Sequence, residues 1–150
     1  MFFPLHILLM SIATLGIITG VGAAIFFRRK SNWLKIHKSF NLCSLLGMMA
    51  GIIMAVIYVS QSGGKHLGGI HQLAGLAAFI LSGLTMSVGF YQFKAKNKSA
   101  VRTTHRWLGR FSLLLLLTTV TLGLLQSIVM IDFKVKRGGD THRTEEEPES

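Results

Sequence analysis

Thr103-Thr104-His105-Arg106-Trp107-Leu108-Gly109-Arg110 stands where a run of positive charge gives way to a long apolar segment. A histidine one turn inside such a segment is expensive to keep, because an unpaired polar group in hydrocarbon forfeits its hydration. It needs a partner or a ligand there. Further out, the chain repeats the arrangement: His6, His37, His71 and His105 each stand near the start of an apolar block, at intervals of 31, 34 and 34 residues.

The blocks run from Pro4 to Phe27, Ile36 to Ser60, Leu67 to Phe93 and His105 to Ile131. Each is long enough, at ~1.5 Å per residue, to cross a hydrocarbon core of about 30 Å. With hydrophobic residues making up 50% of the 150, they predict an all-α integral membrane protein, a four-helix up-down bundle over residues 1–131. The charged tail, 132–150, has little to bury and is expected to be disordered. No basic stretch precedes the first block and no small-residue cleavage site follows it, so the first helix is expected to be retained as an anchor.

A net charge of +10 would suggest nucleic acid in a soluble chain, but its distribution argues for a membrane and its lipids instead. Arg28, Arg29, Lys30, Lys35 and Lys38 lie in or beside the first loop, and Lys94, Lys96, Lys98, Arg102, Arg106 and Arg110 in or beside the third. Only Lys65 lies in the second. The positive-inside rule then predicts a multi-pass protein with loops 1 and 3 in the cytoplasm and both termini on the other side. All six acidic residues lie at or beyond Asp132, which counts against a proton-coupled transporter needing an intramembrane carboxylate. Cys43 is the sole cysteine, so the chain has no disulfide, no paired-thiol metal site and no Cys-x-x-Cys-His for covalent haem.

Because successive helices run antiparallel, the histidines sort by depth. His6 and His71 share the outer level; His37 and His105 share the inner one. Helices 1 and 3, and helices 2 and 4, are diagonal neighbours in an up-down bundle, so each pair can meet across its axis. Two neutral imidazoles from facing helices are the axial ligand set of a non-covalent haem b used for electron transfer. Two pairs at two depths predict two bis-histidine haems, with irons roughly 20 Å apart. Gly75 and Gly109 stand four residues after their histidines, on the same face, where a ring could lie against the backbone. Gly16 and Gly20 after His6, and Gly47 and Gly51 after His37, share offsets of 10 and 14 residues, and are expected to make room for the opposite haem. The same spacing matches a helix-contact pattern that needs no cofactor. Arg106 and Arg110 are expected to meet lipid and, in addition, the propionates of the inner haem. His66 is an alternative ligand for the outer pair, but its loop position beside Lys65 favours contact with a propionate or lipid.

Trp33-Leu34-Lys35-Ile36-His37-Lys38, His71-Gln72-Leu73-Ala74-Gly75 and His105-Arg106-Trp107-Leu108-Gly109-Arg110 resemble the histidine segments of the cytochrome b561 superfamily, particularly its DOMON-linked and ferric-chelate-reductase-like members. The resemblance covers residues 1–131. It implies two b-type haems, ligated by helices 1 with 3 and 2 with 4, moving electrons across a membrane. The further flanking helices and basic ascorbate-site motifs of the ascorbate-using members are not recognisable here. A partner protein or small molecule on each face is therefore expected to supply and take the electrons, with the chain as a conduit, a complex subunit or a homo-oligomer. Two other classes compete: a haem-free transition-metal binding or transport protein, and a structural anchor for a larger oxidoreductase. A colourless protein that tolerates His71→Ala would point to the anchor.

Overall fold

The computed structural model describes the backbone of residues 2–143 and the side chains of residues 2–129. Four helices and no strands appear among them: α1 (Phe2–Phe26), α2 (Trp33–Gln61), α3 (Ile70–Tyr91) and α4 (Lys98–Arg143). The shortest, α3, has 22 residues, about 33 Å at the helical rise, so every one can span a bilayer. Their apolar windows have mean hydropathies of 1.8 to 2.3. The faces turned outward are apolar too, with Leu15, Ile25, Leu114 and Val129 each more than 60% exposed, a surface that suits lipid and not water.

Lipid offers no hydrogen bonds, so polar side chains inside a span must be satisfied by the protein. The hydroxyls of Thr14, Thr19, Thr85, Thr118, Thr119 and Thr121 each donate to the carbonyl four residues earlier in their own helix. At the loop ends the basic residues do similar work. Arg28 donates its Nε to the Ala24 carbonyl at 2.9 Å, satisfying one of the open acceptors at the end of α1, and lies 5.8 Å from the centre of the Trp33 ring.

The helix ends differ from the sequence blocks where backbone preferences intervene. Leu67 adopts a left-handed conformation (φ 56°), which a helix cannot continue through, so α3 begins at Ile70 rather than Leu67. At its start α4 gains seven residues ahead of His105, beginning at Lys98, five of them polar or basic. It also runs on as helix past Lys134 to Arg143, where the sequence had suggested disorder; extending a helix already formed adds one hydrogen bond per residue, without a new nucleus. Residues 144–150 of the expected tail lie outside the described residues.

The bundle consists of two hairpins. Helix α1 lies closely along α2, and α3 along α4, whereas the hairpins meet each other sparsely. They meet at mid-height, where Ala13, Ser44, Ala78 and Ser112 are all at least nine-tenths buried. Each of these small residues is seven positions after its helix's histidine, two turns along the same face. Met48 and Leu116 seal the centre beside them.

Candidate functional site

Each hairpin carries two histidines, one near either end, and ties both down in the same way. The Nδ1 of His6 donates to the Gly51 carbonyl at 2.7 Å, and that of His37 to the Gly20 carbonyl at 2.9 Å. In the second hairpin, His71 donates to Thr119 at 3.0 Å and His105 to Thr85 at 2.9 Å. A carbonyl oxygen can only accept, so Nδ1 carries a proton in all four rings, and in the neutral imidazole Nε2 then holds the lone pair. No hydrogen bond engages any of those four Nε2 atoms among the described residues. The accepting residue always lies 14 positions after its own helix's histidine: Gly20 after His6, Gly51 after His37, Thr85 after His71, Thr119 after His105. That interval separates the two levels by about 21 Å along the helices.

Across the hairpins the rings face in pairs. His6 and His71 have centroids 6.4 Å apart with planes at 84°, and His37 and His105 are 6.1 Å apart at 89°. Each pair offers two nitrogens. Among the described residues no His, Cys, Asp or Glu joins either pair to make a group of three.

A ring can reach a helix carbonyl only where that helix has little side chain one turn further on. Gly89 follows Thr85 by four residues, and a Cβ there would stand 2.8 Å from Cε1 of His105; a Cβ on Gly123, four after Thr119, would stand 2.7 Å from Cε1 of His71. The sequence reading missed both glycines. Their signal was present, because Thr85 to Thr119 and Gly89 to Gly123 repeat the 34-residue step of His71 to His105.

Gly16, Gly20, Gly47 and Gly51 lie along the α1/α2 seam. A Cβ on Gly16 would collide with the Ser44 hydroxyl, one on Gly20 with the Asn41 amide, and one on Gly51 would come 2.8 Å from Sδ of Met10; on Gly47 it would meet the Ala13 methyl at 3.4 Å. All four allow the close helix approach of this hairpin, and Gly20 and Gly51 add the accepting carbonyls. On the α3/α4 seam, Gly75 and Gly109 face the methyls of Thr119 and Thr85 at 3.5 and 3.7 Å. These are ordinary contacts.

Between the hairpins, at the end bearing the basic loops 27–32 and 92–97, a cavity opens around His37 and His105. Asn41, Ser82, Ser112 and Gly109 border it, together with Lys38. Arg106 and Arg110 do not: both side chains are exposed, and the Arg110 guanidinium lies 5.0 Å from the centre of the Trp107 ring. His66 is apart from the outer pair, its Nε2 hydrogen-bonded to the Ser60 hydroxyl at 3.2 Å.

Residues 5–131 match the family model for eukaryotic cytochrome b561. No curated protein and no solved structure is a match to the chain. A match over that span takes in all four histidines, both hairpins and the seams that hold them, and the chain accordingly belongs to the cytochrome b561 family.

Proposed function

We propose that the chain holds two b-type haems, one between His6 and His71 and one between His37 and His105, and carries electrons between them across the membrane. The family itself suggests transmembrane electron transfer by a b-type cytochrome. The observation that carries the two-haem reading is the shared pose of the four rings. Each has Nδ1 committed to a carbonyl and Nε2 free, as a ligating imidazole requires.

The spacing fits the group. Two imidazole nitrogens on one iron, each at ~2.0 Å as for other metals, put the ring centroids about 6 Å apart, and the measured distances are 6.4 and 6.1 Å. A macrocycle brings four in-plane nitrogens of its own and needs only two from the protein, whereas a bare transition metal usually needs more donors than either pair supplies. A mere anchor would have no reason to orient four histidines alike. When bound, such a group supplies one-electron chemistry. The protein's part is to fix the imidazoles, exclude water with the Ala13, Ser44, Ala78 and Ser112 layer, and hold the two levels about 21 Å apart along the helices.

By the positive-inside rule the loops 27–32 and 92–97 face the cytoplasm, so electrons pass between a donor and an acceptor on opposite faces. A redox partner protein or small molecule serves each end, and lipid surrounds the rest. The test is a reduced-minus-oxidised spectrum of the purified protein with haem extracted and counted. Two b haems per chain are expected, falling to about one in either His71→Ala or His105→Ala. A colourless, folded protein would sink the reading.

A further inference from the structure

Lys38 is the one cation that borders the cavity around His37 and His105 among the described residues. Its side chain is half-buried, in contrast to the exposed Lys35, Arg106 and Arg110 nearby. The ammonium lies 4.1 Å from the centre of the Phe93 ring and 5.7 Å from that of Phe90. Cation-π attraction offsets part of its lost hydration, but the rings accept none of its three N-H groups as a carboxylate would. Among the described residues nothing accepts a hydrogen bond from it, and the chain has no acidic residue before Asp132. An ammonium held at the edge of a cavity without an anion is matched by a ligand that brings one.

The other level lacks this feature. Counting from each histidine, the place of Lys38 is taken by Ile7, and that of Asn41 by Met10. The two sites therefore share a frame and differ in charge.

Resting on the two-haem reading, we propose that Lys38 is the counter-charge of the haem between His37 and His105, pairing with a carboxylate of that haem and holding its midpoint potential above that of the haem between His6 and His71. A fixed positive charge in a site of low dielectric favours the state carrying one more electron, and pairing a carboxylate removes a negative charge that would oppose it. An electron reaching either haem then comes to rest at the basic end of the bundle.

The experiment is a redox titration of the full-length protein, followed by absorbance, with haem counted in every variant. His105→Ala identifies which of the two transitions belongs to the basic end. Lys38→Met and the isosterically milder Lys38→Gln are expected to lower that transition, which is the higher of the two, and to leave the other in place; Lys38→Arg is expected to restore it. The proposal is overturned if both midpoints stay put in Lys38→Met and Lys38→Gln with both haems bound, or if only the transition that survives His105→Ala moves. An unaltered chain with fewer than two haems would instead refute the reading on which this rests.

Discussion

The rings of His37 and His105 stand 6.1 Å apart with their planes at 89°, although the two helices that carry them belong to different hairpins. Perpendicular imidazoles on one iron leave its two dπ orbitals nearly equal in energy, whereas parallel ones split them. Low-temperature electron paramagnetic resonance of the oxidised protein is therefore expected to show strongly anisotropic low-spin signals, each dominated by one low-field feature. His6 and His71, at 84°, should behave alike. A rhombic three-line spectrum would mean that the rings turn parallel on ligation.

Gly89 and Gly123 give the second prediction. A methyl at either would lie 2.8 or 2.7 Å from a histidine Cε1, so the ring must move or the helices must part. Overpacking of this kind costs about 1–3 kcal/mol, which corresponds to haem retention weakened roughly five- to 150-fold at one site. Gly89→Ala should act on the site of His105 and Gly123→Ala on that of His71, each leaving the other haem in place. Gly22→Ala and Gly83→Ala, where a Cβ meets nothing within 4 Å, should keep both. Extraction of haem after dilution in detergent separates these outcomes.

A third expectation concerns loading. The hairpins meet sparsely; with one proposed ligand on each hairpin at each site, the first haem bound is expected to draw the hairpins together and present the second pair. Binding should be cooperative. Titrating haem into protein expressed without it, and reading the species by native mass spectrometry, should show chains with none and with two, and few with one. A large one-haem population at half saturation would mean that the two pairs form independently.

Four spans, their antiparallel order and the depth sorting of His6 with His71 and His37 with His105 could be read from the sequence, because hydrophobic length and histidine position are properties of one chain segment at a time. The hairpin was harder to see. Which neighbour Gly16 or Gly51 touches depends on how closely two helices approach, and an offset from a histidine gives only a face and a height. Gly20 and Gly51 stand out in the sequence by their missing side chains, but their carbonyls also matter, and a backbone acceptor leaves no mark on residue type. Thr85 and Thr119 escaped notice for that reason. In the sequence Lys38 is one of many basic residues that mark topology; only its place beside Phe93 and the cavity sets it apart from Arg106 and Arg110.

Neither hairpin owns a site. The pair α1 and α2 contains one proposed ligand for each level and the carbonyls that orient both histidines, and α3 and α4 contain the same set again. Two copies of a single hairpin, related by a twofold axis along the membrane normal, would provide the identical complement. The smallest stretch of sequence able to build both sites is thus one hairpin used twice, and the four-helix chain has the form of such a dimer fused end to end. Duplication of a short gene for a two-helix peptide would suffice to produce this design.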